Sequence, residues 1–558
     1  MTESPRTPTA IDKVAEDWVD TLVDISPSLG TYIGRNEVND RYGDFSPAGH
    51  ERYADEARKA LAALDALRPT DHIDEVTKTD LSSDLRLDLE LHEAKWHLRE
   101  LNVIASPPQD IRAVYDIMPT ATAEDWAVIS RRLEALPGAL EGYTATLRDG
   151  IAQGIVPARR QVVEVATQIA RYTDDGGFFA ALAANAAPAE GQLPASLARA
   201  LSDNAGAARV AYDQLRDFFS TELAQAAADE DAVGRELYAL SSRRFLGATI
   251  DLDETYEWGV EELSRMVAEQ ESIAHEIKPG ASVEEAVALL EADPARKLHG
   301  TAALREWMQQ TSDRAVEELG RTHFDIPEKI RALECMIAPT QEGGIYYTGP
   351  TDDFSRPGRM WWSVPAGVTE FDTWRELTTV YHEGVPGHHL QIAQAVYNRG
   401  ELNSWRRLLA GTSGHAEGWA LYAERLMQQL GYLDDPADRL GMLDGQRMRA
   451  ARVVLDIGVH LKKPRLDGQG VWDHDYALAF LRRNVNMSDE FVQFEVNRYL
   501  GWPGQAPSYK VGQRIWEQVR DDYREEKGDD FSIKEFHKRA LDMGGVGLDT
   551  LRTALLKG

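Results

Sequence analysis

Three histidines and one glutamate lie together in the segment His382–His389, which has the sequence HEGVPGHH. In many zinc hydrolases two histidines four residues apart on one helix face bind the same ion, and the glutamate between them takes a proton from the attacking water. Here Pro386 occupies the position four residues after His382, so this spacing is absent. On an unbroken helix His388 would lie roughly 240° around from His382, and His389 would lie about 10 Å further along the axis. On an unbroken helix, neither imidazole would therefore be well placed to bind the same metal ion as His382.

The residues between the histidines favour a break in the helix that restores the pairing. Pro386 has no N–H to donate to the carbonyl of His382, and its ring clashes with that helical turn. Gly384 and Gly387 permit the unusual backbone angles that such a break requires. We therefore predict a looped-out Gly-Val-Pro segment that returns His388 to the face of His382.

The residue types in this segment predict their roles. His382 and His388 are the predicted metal ligands, and His389 is the alternative to His388. Glu383, next to the first ligand, is the predicted general base. The competing interpretation is a surface helix–loop–helix with incidental histidines. It is disfavoured because three of the chain's 14 histidines fall within this one short segment.

A third protein ligand is expected on another helix, and the segment Gly414–Glu424 is the best candidate. Glu417 and Glu424 lie seven residues apart and share one helix face. Inward-facing carboxylates on an apolar helix are costly unless a cation or a partner offsets them. We predict Glu417 as the third ligand and Glu424 as a support for a ligand, with His415 as a competitor for the ligand role. In the alternative interpretation these glutamates face water.

A further polar face is predicted in the helix from about Leu443 to Leu461. Arg452, Asp456 and His460 recur there at four-residue spacing and so line one side. Asp456 is predicted to orient a ligand imidazole, and His460 is predicted to contact substrate. A structural ion-pair ladder is the alternative.

Groups that stabilise an oxyanion are expected around the Pro503–Pro507 turn. Tyr509 is the preferred hydrogen-bond donor, with a packed aromatic ring as the alternative interpretation. Lys510 should point elsewhere if both residues lie on a strand. Arg498 or His460 is predicted to assist Tyr509, either at the oxyanion or by anchoring a substrate carboxylate.

Helical periodicity dominates the remainder of the chain. Segments such as Leu81–Leu101 and Ala207–Ala228 are rich in helix-forming residues, with apolar side chains at steps of three and four. Two short aromatic runs, Ile345–Thr348 and Arg359–Val364, break this pattern and are predicted to pair as strands. The sequence therefore predicts a mainly α fold with a small β element beside the active site.

No strong domain boundary is visible in the sequence. We predict one large domain over residues 1–558, in which residues 1–270 form an N-terminal helical half and residues 271–558 carry the metal site. A chain of this length can bury a large core.

Composition limits the expected partners and location. Asp and Glu number 92 against 61 Lys and Arg, which gives a formal charge of −31. Such a surface repels phosphate backbones and anionic lipid, so neither nucleic acid nor a membrane is an expected partner. The single cysteine, Cys335, excludes a disulfide within the chain and is predicted to be a buried apolar residue. The stretch Met1–Lys13 lacks the features of a secretory signal, and no segment is apolar over a membrane's thickness. A cytoplasmic enzyme is expected.

Four motifs, in this order, resemble the bacterial domain-of-unknown-function 885 family. They are Tyr381–Gln391, Glu417–Glu424, Asp456–His460 and Pro503–Gly512. That family is similar in turn to helical zinc peptidases such as angiotensin-converting enzyme and the thermostable bacterial carboxypeptidases. Those enzymes carry His-Glu-x-Gly-His followed by a ligand glutamate on a second helix. The resemblance matches His388 to their second ligand, with extra residues inserted before it. It implies a helical metallopeptidase-like fold with a deep internal channel.

Together these features predict a Zn²⁺-dependent hydrolase that cleaves short peptides in the manner of a carboxypeptidase or oligopeptidase. Two alternatives stay open: a zinc amidohydrolase acting on small acyl-amino-acid or amide substrates, and a catalytically silent metal-binding protein. Glu383 disfavours the catalytically silent protein. The ligands His382, His388 and Glu417 would bind the metal without it, so a carboxylate at this position indicates a catalytic role. The same ligand set also accepts Mn, Co or Fe.

Overall fold

The predicted mainly α fold is confirmed. A computed structural model describes residues 6–338 and 344–556, so Met1–Pro5 of the amino-terminal stretch lie outside the described residues. Helix accounts for 68% of the chain and strand for 4%. No helix in the described ranges is long and apolar enough to cross a bilayer.

The helices of the first half are mostly amphipathic and pack side by side. They are α1 (Ala10–Ile25), α2 (Pro27–Tyr32), α3 (Pro47–Asp65), α4 (His72–Glu93), α5 (Pro107–Ala113), α6 (Ala123–Gln153), α7 (Arg159–Thr173), α8 (Phe178–Ala184), α9 (Ala195–Phe218), α10 (Ala224–Ala226), α11 (Arg235–Leu246) and α12 (Leu252–Ile277). Short 3₁₀ and π segments interrupt or join helices along the whole chain. The 3₁₀ segments are Asn36–Val38, Trp96–Arg99, Val114–Asp116, Pro294–Arg296, Glu328–Ile330 and Gly528–Asp530, and the π segments are Phe219–Leu223 and Trp405–Leu409.

The second half contains the strands and the remaining helices. The helices are α13 (Val283–Glu291), α14 (Thr301–Thr322), α15 (Thr373–Glu383), α16 (His388–Tyr397), α17 (Ser413–Gln429), α18 (Pro436–His460), α19 (His474–Arg482), α20 (Asp489–Gly501), α21 (Ser508–Lys527), α22 (Ile533–Asp542) and α23 (Leu548–Leu556). The strands are β1 (Lys297–His299), β2 (Leu333–Ile337), β3 (Ile345–Thr348), β4 (Gly358–Trp362) and β5 (Glu370–Asp372).

The predicted pairing of two aromatic strands is confirmed. β3 and β4 are antiparallel, and Tyr346 lies opposite Trp361 with their rings stacked. The strand β2, which was not predicted, pairs in parallel with β4, and the pair β1–β5 was not predicted either. Cys335 on β2 is 1% exposed, as predicted for a buried apolar residue. This small sheet packs against α15 and α16, the two helices that carry the histidine segment.

Buried apolar side chains form several clusters within the described ranges. One cluster lies among α1, α3 and α4 and includes Trp18, and a second lies among α5 to α9 and includes Tyr212. The largest is centred on the second half, yet α12 contributes Met266 to it. Within it, α12, α15, α17 and α21 all contact α18, which is buried throughout residues 450–460. α18 thus holds the site-bearing helices in place, while the division at residue 270 stays a prediction.

Candidate metal centre

The predicted break between the histidines is present. α15 ends at Glu383, and α16 begins at His388. In the connecting loop, the Gly387 N–H donates to the carbonyl of Tyr381 at 3.0 Å. A Cβ on Gly387 would lie 1.8 Å from the carbonyl oxygen of His382, so the path of the loop requires glycine there. The loop thereby turns the chain back toward the end of α15.

Helix α17 is fixed to this loop and to α21. The indole N–H of Trp419 donates to the carbonyl of Pro386 at 2.8 Å. A Cβ on Gly418, the residue before Trp419, would lie 2.4 Å from the backbone of Gly512 on α21. The backbones of α17 and α21 therefore contact each other where the two helices cross. This close approach brings Glu417 on α17 and Tyr509 at the start of α21 to the same region.

The imidazoles of His382 and His388 face one carboxylate oxygen. Their ring centroids lie 4.9 Å apart, with the planes at 89°. The Oε2 atom of Glu417 is 3.3 Å from Nε2 of His382 and 3.7 Å from Nε2 of His388. That oxygen is buried and has no hydrogen-bond partner among the described residues. Two imidazole nitrogens and a carboxylate oxygen therefore converge, and a divalent cation between them would satisfy the unpartnered oxygen.

Glu383 belongs to the same cluster. Its side chain is 7% exposed, and one of its oxygens lies within 4.8 Å of ligand nitrogens of both His382 and His388. The carboxylate thus borders the space between the two imidazoles.

The charges of the cluster are strongly coupled. Burial opposes protonation of His382, but the nearby carboxylates of Glu417 and Glu424 outweigh it and raise the pKa of His382 to about 10. Burial likewise opposes ionisation of Glu417, yet His382 and His388 hold its pKa well below the usual range. The metal-free cluster at neutral pH therefore pairs an ionised Glu417 with a protonated His382, and a divalent cation would displace that proton on binding.

Glu424 holds His382 from the side away from Glu417. The Nδ1–H of His382 donates to Oε1 of Glu424 at 2.7 Å, while Oε2 accepts from Thr378 at 3.0 Å and from Gln446 at 3.2 Å. Because Nδ1 is held by Glu424, Nε2 is the nitrogen of His382 that would bind a cation after losing its proton. The position agrees with the supporting role predicted for Glu424.

A buried lysine, Lys510, extends this chain of contacts, and its contact with Gln446 was not predicted from the sequence. The ammonium of Lys510 donates to Oε1 of Gln446 at 2.8 Å and lies 3.0 Å from Glu262. Lysine can only donate, so the amide oxygen of Gln446 must face it and the amide nitrogen must face Glu424. Lys510 belongs to helix α21 rather than to a strand, and it points inward with 2% exposure.

His389, the alternative ligand, has both ring nitrogens engaged. Its Nε2–H donates to the carbonyl of Ile330 at 2.6 Å, and Nδ1 accepts from the hydroxyl of Tyr347 at 2.9 Å. No lone pair is left for a metal. His389 instead ties α16 to strand β3, and the geometry favours His388 as the second ligand. His415, the other competitor, has its Nδ1 3.3 Å from the amide nitrogen of Gln391.

The family described as "Bacterial protein of unknown function (DUF885)" matches residues 27–555. The chain belongs to this family.

Two solved structures share the fold of this DUF885 chain over nearly its full length. One, from Colwellia psychrerythraea, is described as a "putative lipoprotein". It is 20% identical with a TM-score of 0.84, covering 98% of this chain and 99% of that chain. The other, a "putative lipoprotein of unknown function" from Shewanella oneidensis, is 17% identical with a TM-score of 0.75, covering 98% and 100%.

A third structure is much less similar. A Pyrococcus furiosus carboxypeptidase is 14% identical with a TM-score of 0.35, covering 91% of this chain and 93% of that chain, and so low a score carries no argument about function. Comparison with curated proteins finds no match.

Two of the motifs that resemble the DUF885 family contact each other. Oδ2 of Asp456 accepts from the N–H of Gly504 at 2.8 Å and from the hydroxyl of Tyr238 at 2.7 Å. His460 is fully buried and donates from Nε2 to the carbonyl of Tyr499 at 3.1 Å. The structure therefore does not bring Asp456 to a ligand imidazole, and it leaves His460 no exposed surface for a substrate. The orienting contact comes from Glu424 instead.

Tyr509 and Arg498 differ in what they can offer a substrate. Tyr509 is half-buried in the first turn of α21. Burial raises the pKa of its hydroxyl, and the charge of Glu417 raises it further, so the hydroxyl stays protonated. Arg498 is already engaged, since it donates to Glu495 at 2.9 Å and to Gln505 at 2.6 Å. The role of Tyr509 as an oxyanion donor stays a prediction, whereas Arg498 already has structural partners.

Proposed function

We propose that the protein is a zinc-dependent peptidase in which His382, His388 and Glu417 hold the metal and Glu383 is the general base. The observation that carries this proposal is the buried, unpartnered oxygen of Glu417 facing Nε2 of both histidines. Two histidines and one carboxylate are the ligand set of several catalytic zinc sites, which keep a fourth position open for water or substrate.

The side chains around this centre have distinct tasks in peptide hydrolysis. A zinc ion held there would act as a Lewis acid, lowering the pKa of a coordinated water and polarising the scissile carbonyl. Glu383 accepts the proton of the attacking water and delivers it to the leaving amine. The hydroxyl of Tyr509 donates to the oxyanion as the carbonyl carbon becomes tetrahedral. Glu424 keeps His382 in the tautomer that this arrangement requires.

Metal removal tests this proposal directly. Treatment with a chelator should abolish hydrolysis of short peptides, and stoichiometric Zn²⁺ should restore it. Metal content would be measured by mass spectrometry of the purified protein, and products would be profiled with peptides and N-acyl amino acids in parallel. Circular dichroism checks that the chelated protein stays folded. Undiminished hydrolysis by metal-free protein would exclude the proposal, and cleavage of N-acyl amino acids alone would favour the amidohydrolase.

The contact between Gln446 and Glu424 predicts a role for a residue away from the metal. Gln446→Leu removes the donor to Glu424 and the acceptor for Lys510 while keeping a similar volume. We expect zinc affinity to fall about 10- to 100-fold, the usual cost of losing an outer hydrogen-bond partner of a ligand. A competition titration against a zinc indicator would measure it.

The matched control for this change is Gln513→Leu. Gln513 also accepts from Lys510, at 2.9 Å, but is not hydrogen-bonded to Glu424. Its variant should bind zinc like the wild type. Equal zinc affinity in the Gln446→Leu protein would show that Gln446 does not support the ligand.

A further inference from the structure

Two guanidinium groups lie over the ring of Tyr509. The Cζ atoms of Arg452 and Arg449 are 5.1 Å and 5.9 Å from the ring centroid. Both arginines belong to α18, on adjacent turns of the helix. Tyr509, which also lies near the carboxylate of Glu417, therefore has two guanidinium groups against its ring at the edge of the candidate metal centre.

One carboxylate serves two of the arginines in this region. Glu495 accepts from Arg452 at 2.8 Å and from Arg498 at 2.9 Å. Arg452 also donates to the hydroxyl of Tyr499 at 2.7 Å, and Arg498 donates to Gln505. These two guanidinium groups therefore already have hydrogen-bond partners.

Arg449 has no such partner. Its guanidinium makes no hydrogen bond and no ion pair with any residue in the described ranges, and its Nε is buried without a partner. The side chain as a whole is half-buried, so solvent reaches part of it. A Cβ on Gly445 would lie 2.6 Å from its Nη1, so the missing side chain there leaves room for the guanidinium along α18. A guanidinium left unpaired in this way is costly unless an anion joins it.

The position of Arg449 connects it to the proposed zinc centre. Gln446, one turn earlier on α18, donates to Glu424, which in turn holds His382. Arg449 thus lies on the Tyr509 side of the proposed zinc ligands.

We propose that Arg449 binds the C-terminal carboxylate of a peptide substrate above the ring of Tyr509, so that the substrates are peptides with a free C-terminus. This inference rests on the proposed peptidase function. A guanidinium presents a planar pair of N–H donors that matches a carboxylate, and such charge-assisted pairs are stronger than bonds to a neutral amide. Arg449 takes the anchoring role predicted for Arg498, whose two Nη groups already donate to Glu495 and Gln505.

The test compares each peptide with its C-terminal amide. The wild type should favour the free acid in kcat/KM, and Arg449→Met should lower kcat/KM for the free acid about 10- to 100-fold, mostly through KM, the size of one charge-assisted pair. The same variant should change the amide little, and Arg449→Lys should recover part of the loss. Arg439→Met, on the same helix but paired with Glu276 at the surface, is the control and should behave as wild type.

A binding measurement separates this inference from the proposed function. Isothermal titration of the Glu383→Gln protein should detect the free-acid peptide more tightly than its amide, and Arg449→Met in that background should remove the difference. If the wild type hydrolyses no peptide but this difference exists and depends on Arg449, the peptidase proposal fails and the carboxylate site stands. Equal handling of acid and amide by wild type and variant, in hydrolysis and in binding, would overturn the carboxylate site alone.

Discussion

Replacing Glu383 with glutamine should leave zinc bound and lower kcat for peptide hydrolysis about 10²- to 10⁴-fold, the usual contribution of a general acid–base group. Glutamine keeps the shape of the side chain but cannot accept the proton of the attacking water at neutral pH. Peptide turnover by mass spectrometry and metal content of the same preparation would be measured together. Glu383 lies within 4.8 Å of both histidine nitrogens and is therefore close enough to be a metal ligand itself. Measuring metal content together with activity distinguishes loss of the general base from loss of the metal.

The same substitution separates a catalytic centre from a closed structural one. If Glu383 were a fourth ligand, all four positions would be filled by protein, as in structural zinc sites, and the glutamine variant would lose zinc affinity. Glu376→Gln is the matched control, since Glu376 is a half-buried carboxyl on the same helix outside the metal cluster. That variant should retain both zinc and activity. Loss of zinc from the Glu383→Gln protein would favour the silent metal-binding alternative.

The parts of the site that local rules determine could be predicted from the sequence. Pro386 cannot continue a helix, and glycine at 387 permits the sharp return, so the break before His388 followed from two residue types. The shared face of Glu417 and Glu424 followed from helical periodicity, and both carboxylates meet His382. Each of these inferences needed only residues within one or two turns of each other.

Contacts between distant helices could not be predicted in the same way. Four-residue spacing placed Asp456 and His460 on one face of α18 but did not reveal that this face meets Tyr238 and the loop at Gly504. The spacing is the same whether a helix face borders a metal or a structural contact. Only the packing of α11 and the α20–α21 loop against α18 decides between them.

The surroundings of Lys510 and Arg449 also depend on contacts between distant helices that the sequence does not reveal. Lys510 lies in the Pro503–Gly512 motif but was expected to point elsewhere, and Arg449 lies in none of the four motifs, so the environment of each side chain became visible only in the structure. Lys510 is buried and hydrogen-bonded to Gln446, whereas Arg449 lies near the same helices without a hydrogen bond or ion pair in the described ranges. The two cations thus differ in their surroundings, because Lys510 has hydrogen-bond acceptors and Arg449 has none in the described ranges.

The adjacent histidines of α16 provide the second large expected effect. His388→Ala should lower zinc affinity by more than about 100-fold, since removing only an outer partner of a ligand already costs about 10- to 100-fold. Hydrolysis should be lost with the metal. The fold should stay intact, because Nδ1 of His388 has no hydrogen-bond partner in the described ranges and its Nε2 faces Glu417. Competition titration and chemical denaturation of the apo protein would measure the two quantities separately.

His389→Ala should give the opposite pair of results. This change leaves the carbonyl of Ile330 and the hydroxyl of Tyr347 without their partner and opens a cavity under the small sheet. We expect the free energy of unfolding to fall by about 2–4 kcal/mol, the combined cost of an unsatisfied polar contact and a core truncation. Zinc affinity measured below the unfolding transition should remain near that of the wild type. The two side chains differ chiefly in that His388 has a nitrogen facing Glu417, whereas both nitrogens of His389 are hydrogen-bonded. If His388→Ala retained zinc and folded His389→Ala lost it, His389 rather than His388 would be the second ligand.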